Sequence, residues 1–375
     1  LNKKRFSYLY EVIKNTKIKI MQMPKISNII EEKFENINFK TVEIEDLLGR
    51  DKVIPIKKLI DKNIVDKSII ITGAGGTIGS EIASIVLSRL PKILILFEQN
   101  EYSLYKIYNK LKLKKNYLNT KIIPILGNII DYESLDLVLK KFKVQTIFHA
   151  AAYKHVDIVE QNLCNSLKIN IFGTLNCVKS SIKNKVENFV FISSDKAVRP
   201  TNFMGASKRI SELIIQYYSH YETNNQKINF SIVRFGNVIG SSGSVIPLFR
   251  KQIKNGGPIT VTHPNMIRYF MTVSEAAELV IQASALSSKF GIYLLNMGNP
   301  VSINDLAHKM IRLSGFIFSE KPKNSNEISI LYTGLRQGEK MYEELLIDKN
   351  SQKTEHQMIF KSIESDIDYK QFILD

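Results

Sequence analysis

Ser193-Ser194-Asp195-Lys196 sets hydroxyls, a carboxylate and an ammonium on consecutive residues. The run follows Phe189-Val190-Phe191-Ile192, an uninterrupted apolar stretch of the kind that forms a buried strand. The turn after that strand therefore delivers an acid–base set to the carboxyl edge of a sheet. Pro200 and Gly205 break the path before a helix that carries Met204 and Lys208. Those two are i and i+4 and share a helix face. A nicotinamide-dependent enzyme needs such a cluster beside its cofactor: a group to move a hydroxyl proton, and a second acid–base pair for further chemistry.

A second constellation lies upstream. Ser68-Ile69-Ile70-Ile71-Thr72 reads as a strand and runs into Gly73-Ala74-Gly75-Gly76-Thr77-Ile78-Gly79, where a helix begins. Gly73, Gly76 and Gly79 permit a tight turn, close backbone approach and close helix–strand packing, so a diphosphate can sit on the amides at the helix N-terminus. Lys92 to Phe97 reads as the next strand and ends at Glu98, nineteen residues after Gly79. An acid there can accept from the adenosine ribose hydroxyls and repel a 2′-phosphate, which favours NAD over NADP. Lys121 to Leu126 is a third strand, with Pro124 implying an irregular path. Asn128 and Ile129 follow it, beside the adenine end. Thr146 to His149 is a fourth strand, after which Ala150, Ala151 and Ala152 let a cofactor pass close to the backbone before Tyr153. Phe230 to Arg234 is a sixth. Strands alternating with helices imply a doubly wound parallel (Rossmann) sheet of the α/β class.

Five segments in this order resemble the extended short-chain dehydrogenase/reductase superfamily, and within it the nucleotide-sugar 4,6-dehydratases acting on UDP-N-acetylglucosamine. They are the glycine loop, His149 to Val156, the Ser-Asp-Lys turn, Arg234 to Ser244, and Gly334-Leu335-Arg336-Gln337-Gly338-Glu339-Lys340. The resemblance runs from about Thr41 to Leu346. It implies an internal redox cycle: oxidation at sugar C4, loss of water across C5–C6, and return of hydride to C6. Met204 stands where the superfamily usually has a proton-carrying tyrosine, as it does in the large dehydratases. By the resemblance Lys196 removes the C5 proton, Asp195 protonates the C6 oxygen, Ser194 polarises the C4 hydroxyl, and Lys208 binds the nicotinamide ribose. Lys196 must then be partly neutral, through burial or neighbouring positive charge. Lys154, His155, Asn237, Ser244, Val245, Arg268, Arg336 and Glu339 fall on the matching substrate segments. Two departures stand out: Asn128 replaces the usual acid, and Gln337 replaces the usual proline.

A nucleotide-sugar 4-epimerase is the neighbouring enzyme class. It needs no C5–C6 acid–base pair, so Asp195-Lys196 and Met204 speak against it. A non-catalytic nucleotide-binding scaffold is the alternative outside enzymology.

The 375 residues divide in expectation into an N-terminal extension or tail of a preceding domain (1–50), an NAD-binding domain (51–235), a smaller substrate-binding subdomain (236–348) and a mobile polar tail (349–375). Phe6 to Pro24 reads as a helix, with Lys17 to Met21 a short strand. Ser302 and Asp305 form a capping box before a helix from Leu306 to Leu313. Two cysteines suit a reducing compartment, and the six histidines show no metal-ligand spacing. The net charge of +16 comes without a nucleic-acid motif and reads as solvated lysine-rich faces. No apolar run reaches bilayer-spanning length. The start at Leu1 suggests a fragment, and a homo-oligomer is expected; if the chain is part of a longer, membrane-anchored protein of the resembled type, it works at the cytoplasmic side of the bacterial inner membrane, and otherwise in the cytoplasm.

Overall fold

The computed structural model describes residues 54–114, 119–221, 228–241, 243–287, 289–344 and 350–364, with residues 12, 21–22 and 40–41 before them. Of the helix and strand expected between Phe6 and Pro24, the described residues include Val12, which is helical, and Met21–Gln22, which pairs antiparallel with Lys40–Thr41. Contacts divide the chain into two units. The larger holds Val53–Val238, Val273–Met297 and Gln337–Asp375, and the smaller holds Leu1–Lys52, Ile239–Thr272 and Gly298–Arg336.

In the larger unit strands and helices alternate: β1 (Ser68–Thr72), α1 (Thr77–Ser88), β2 (Ile93–Glu98), α2 (Glu101–Lys112), β3 (Lys121–Leu126), α3 (Tyr132–Phe142) and β4 (Thr146–His149). Then come α4 (Gly173–Lys183), β5 (Asn188–Ile192), α5 (Phe203–Tyr221) and β6 (Asn229–Arg234). The smaller unit takes up the chain with α6 (Val245–Lys254) and β7 (Ile259–Val261). The larger resumes with α7 (Val273–Leu286) and β8 (Phe290–Leu295), the smaller with α8 (Ile303–Leu313) and β9 (Ile330–Tyr332), and the larger closes with β10 (Ser351–Lys353) and β11 (Ile359–Ser362).

The large sheet runs β10-β11-β8-β6-β5-β4-β1-β2-β3. Seven strands, β3 through β8 in that order, are parallel, and β11 and β10 extend the sheet antiparallel. β1, β5 and β4 are buried along their whole lengths, as strands covered by helices on both faces must be. α1 packs with α7 on one side, while α4 packs with α3 and α5 on the other. Pro124 sits on β3, the edge strand, where its missing donor is tolerated.

The break expected at 235/236 is crossed twice. α7 and β8 return to the larger unit because β8 continues the parallel ladder from β6. The expected tail supplies β10 and β11 over its described part, since Ile359 at 0% exposure finds a buried place against β8. In the smaller unit β7 and β9 pair in parallel, and α6 and α8 pack through apolar faces that include Phe249, Ile253, Leu306 and Met310. The Ser302 hydroxyl accepts from the Asp305 amide at 3.1 Å, so α8 begins at Ile303, ahead of the expected Leu306. Among the described residues no helix is long and apolar enough to cross a membrane, and no group of three His, Cys, Asp or Glu could hold a metal ion.

Candidate active site

The strand order reverses between β1 and β4, and the glycine turn fills that point. Gly73 has φ +66°, and a Cβ there would lie 2.7 Å from the Ala151 backbone. The turns after β1 and β4 therefore meet backbone to backbone, which requires glycine. At Gly79 a Cβ would strike the Gly73 carbonyl, so α1 sits directly on the turn. At Gly75 it would strike Ser103 of α2. Gly76 differs. It is the exposed N-cap of α1, and its Cβ would meet only the Gly73 oxygen at 3.2 Å. As a glycine, this N-cap offers no side-chain cap to the first turn, which begins with Thr77 and Ile78. This open glycine face is a cradle that a Cβ would fill, and it fits a diphosphate. Gly76→Val is therefore expected to fold yet to lose bound dinucleotide, read by extracting nucleotide from the purified protein. Gly79→Ala should instead destabilise the fold by about 1–3 kcal/mol in urea denaturation, as overpacking does.

At the end of β2 the buried Glu98 carboxylate accepts from the Gly75 and Asn100 amides, both at 3.0 Å. The acid is thus braced against the glycine turn. Gln99, Asn100, Leu126, Gly127 and Asn128 line an open hollow beside it. The Asn128 side chain accepts from the Ile130 amide at 3.0 Å, shaping its own turn, while Ile129 is buried against Gly173. Ala150, Ala151 and Ala152 are half-buried and Tyr153 is exposed. The Tyr153 backbone is clamped by buried Asn170, whose carbonyl accepts from its amide at 2.8 Å and whose amide donates to its oxygen at 3.0 Å. Asn170 also donates to Ser207 Oγ on α5 at 2.9 Å. It stands in a π-helical turn, Lys168–Phe172, a local widening often found at functional sites.

The Ser-Asp-Lys turn leaves β5 as expected. Ser194 Oγ donates to Asp195 Oδ1 at 2.8 Å, and Lys196 Nζ donates to the same oxygen at 3.0 Å. Asp195 is buried, and its amide donates to the Phe235 carbonyl at 3.1 Å, pinning the turn to the end of β6. Gly205 fits α5 against the turn, since a Cβ there would strike the Lys196 carbonyl. Met204 is buried one residue earlier.

A segment from further along the chain clasps this turn. The Gly338 carbonyl accepts from Thr201 Oγ1 at 2.8 Å and from Asn202 Nδ2 at 3.2 Å. Lys340 Nζ donates to the Val198 carbonyl at 2.9 Å, and Arg199 pairs with Glu344 at 2.6 Å. Glu343 brings Oε1 to 3.5 Å from Lys196 Nζ. The sequence pointed to Glu339 in this motif, and Glu339 is half-buried there. The acid that meets the lysine, Glu343, was missed. Lys196 was also expected to be partly neutral, through burial or neighbouring positive charge; Asp195 and Glu343, which lie within ion-pair distance of it, are carboxylates and favour the ammonium.

Lys208 is buried, donates to the Ile192 carbonyl at 2.9 Å and lies 4.4 Å over the Phe191 ring. Burial pushes its amine down to about 8, with Glu212 opposing. Folding therefore prefers the neutral amine. The penalty is fully present below about pH 8 and is relieved as pH rises toward the ordinary value of 10.5. Lys208→Met should consequently narrow or reverse its stability deficit at pH 7 relative to pH 10, read as the difference in melting temperature from the unaltered protein. His149, fully buried at the end of β4, is driven down to about 3 by burial and by Lys208. Its neutral ring bridges Thr72 at 2.7 Å and Thr174 at 3.0 Å.

Of the expected substrate residues, Lys154 and His155 are exposed just after Tyr153, and Asn237 is half-buried after β6. Ser244, Val245, Arg268 and Arg336 belong to the smaller unit. There Ser244 is the N-cap of α6 with a buried Oγ that finds no hydrogen-bond partner among the described residues, and Val245 opens the helix. Arg268 is buried and donates to the Ile267 carbonyl at 2.8 Å, and Arg336 is exposed.

The residues just described fall within a match to known sequences. The family model for polysaccharide biosynthesis proteins matches residues 69–364. The chain is 43% identical over 364 residues to the capsular polysaccharide biosynthesis protein CapD of Staphylococcus aureus, covering 97% of this chain and 58% of that protein. It is 32% identical over 295 residues to the UDP-glucose 4-epimerase of Rickettsia rickettsii (strain Sheila Smith), covering 78% of this chain and 81% of that one. The crystal structure of Pen from Bacillus thuringiensis aligns with a TM-score of 0.71 at 36% identity, covering 80% of this chain and 88% of the other. The chain thus spans just over half the length of CapD. Glycine turn, Ser-Asp-Lys turn and clasp all lie inside the matched range, and the chain belongs to the polysaccharide biosynthesis protein family, on the extended short-chain dehydrogenase/reductase fold.

Proposed function

We propose that the chain is the catalytic part of an NAD-dependent UDP-N-acetylglucosamine 4,6-dehydratase serving bacterial polysaccharide or glycan synthesis. One observation carries this reading: Asp195 and Lys196 stand 3.0 Å apart on the turn after β5, close to a methionine where a reductase would need its tyrosine. The fit of the glycine turn and Glu98 to a dinucleotide supports the cofactor. In this reading Gly73, Gly75, Gly76 and Gly79 hold the diphosphate, Glu98 the adenosine ribose, and Lys208 the nicotinamide ribose.

Bound NAD would accept hydride from sugar C4 and return it to C6. The proton traffic belongs to the protein. The C4 hydroxyl proton passes through Ser194 to Asp195, along a hydrogen bond of 2.8 Å. The resulting C4 ketone acidifies C5–H. Neutral Lys196 takes the C5 proton, Asp195 gives its proton to the C6 oxygen, and that oxygen leaves as water. Lys196 then returns a proton to C5 as C6 is reduced. The sugar loses one water, and both side chains end as they began. The working form, neutral lysine beside a carboxylate, is one proton short of the ion pair. Dehydration should therefore rise with pH through the lysine's titration.

The test is to incubate the purified chain with UDP-N-acetylglucosamine and follow the product by mass and NMR. A product one water lighter, with no net reduction of NAD, is the expected result. Stoichiometric reduced NAD would make the chain a plain dehydrogenase. An isomeric sugar of unchanged mass would make it an epimerase.

A further inference from the structure

We propose that Glu343 is a positioning residue for Lys196, fixing its amine for attack at C5. The inference rests on the dehydratase reading above. Glu343 lies three residues beyond the Gly334–Lys340 motif, and the chemistry assigned so far does not use it. Its side chain is 5% exposed and that of Lys196 19%, so the pair is held largely away from water.

A lysine side chain is among those that lose the most rotamer freedom when fixed. Asp195, on the neighbouring residue, restrains Nζ from one backbone segment only. Glu343 restrains it from a second segment that is itself fastened to residues 198–202 through Gly338, Lys340 and Glu344. Two anchors from separate segments define where the amine points; one leaves it free to swing. A carboxylate this buried also requires a cation, and Lys196 lies within ion-pair distance.

Charge adds a second consequence. The groups around the turn are Asp195 on it, Glu343, Lys340 and the exposed Arg199–Glu344 pair at the clasp, and Lys208 on α5. Lys340 and Lys208 are directed to the Val198 and Ile192 carbonyls, whereas Asp195 and Glu343 face Nζ. Both carboxylates favour the ammonium. Removing one should let the lysine shed its proton at lower pH.

The experiment compares Glu343→Gln, Glu343→Asp and Lys196→Met in the NAD-loaded protein with UDP-N-acetylglucosamine. Transient reduction of NAD reports C4 oxidation and serves as the control for an intact fold. Glu343→Gln should oxidise C4 normally with unchanged KM, yet lose about 10–100-fold in kcat, the size of an ångström-scale misplacement. The rising limb of its kcat–pH profile should move about one unit toward acid. Glu343→Asp should recover part of kcat and restore the limb. A Glu343→Gln protein with unchanged kcat and an unmoved limb, while Lys196→Met is inactive, overturns the inference and leaves the dehydratase reading intact. A limb that stays in place while C4 oxidation and kcat fall together shows only a structural role and also overturns it. C5 exchange persisting in Lys196→Met removes the parent reading instead.

Discussion

Lys196→Met is expected to stop water elimination altogether while leaving NAD bound, at a cost in stability from the buried Asp195 and Glu343 carboxylates that it strands. In the proposed cycle Asp195 already holds the C4 proton when C5 is deprotonated, which leaves the amine as the base for carbon. Asp195 Oδ1 already accepts from Ser194 and from Lys196 itself. Methionine keeps the apolar stem and removes the nitrogen, so packing around Ala197 and Gly205 survives. Two readouts separate the steps. Transient reduced NAD should still form, because C4 oxidation precedes C5 chemistry. Deuterium from solvent should no longer enter C5, because no group takes that proton. Asp195→Asn should be milder, slowing dehydration by roughly 10²–10⁴-fold, the usual weight of a general acid. Met204→Leu should change little, since a thioether moves no proton. A Lys196→Met protein with near-normal rate would sink the mechanism and leave the dinucleotide fold standing.

Legibility in the sequence followed the range of the forces involved. Strands such as Ile69–Ile71 announce themselves because a strand covered on both faces is apolar throughout, and alternation with helices implies the parallel order. The Ser194–Lys196 turn was legible because its chemistry is contiguous. Glu343 was not, since it is one loop acid among several, and its pairing with Lys196 exists only in three dimensions. Asn170 was hidden for a different reason: a π-turn has no residue signature distinct from the helix around it. The three spaced glycines look alike on paper. Only the surroundings show that Gly73 and Gly79 serve packing while Gly76 is exposed, with the Gly73 oxygen 3.2 Å from where its Cβ would stand. Ser351–Lys353 is exposed at every residue and reads as a tail; its strand character comes from pairing with β11, whose Ile359 and Ser362 are buried.

The largest stability effect is expected at Arg234. This side chain is fully buried on β6 and forks onto Glu212 of α5, with Nε to Oε1 at 2.7 Å and Nη2 to Oε2 at 2.6 Å. Its remaining nitrogen pairs with Glu364, just beyond β11. Arg209 bridges Glu212 and Glu364 at 3.0 Å each, and Ser193 donates to Glu212 at 2.6 Å. Two arginines thus balance two carboxylates that are almost wholly buried. Arg234→Met leaves the two acids to share Arg209, and breaking such a pair costs about 3–5 kcal/mol, measurable by urea denaturation at pH 7. Burial pushes the Glu212 carboxyl up, but Arg234, Arg209 and Ser193 together outweigh it and hold the acid below its ordinary value. In the unaltered protein that stabilisation is present above the ordinary glutamate range and is lost as pH falls through the lowered value. In Arg234→Met burial prevails, the stranded acid takes up a proton earlier, and its penalty lifts. The stability gap should therefore shrink toward pH 4. A gap that is constant with pH would mean the loss came from packing alone. Combining Arg234→Met with Glu212→Leu and Glu364→Gln should recover much of the loss, because an apolar replacement of a whole buried ion network is often neutral. Ser193 directly precedes the Ser194–Lys196 turn, so the single variant should also lose kcat, and the triple variant should regain stability without fully regaining rate.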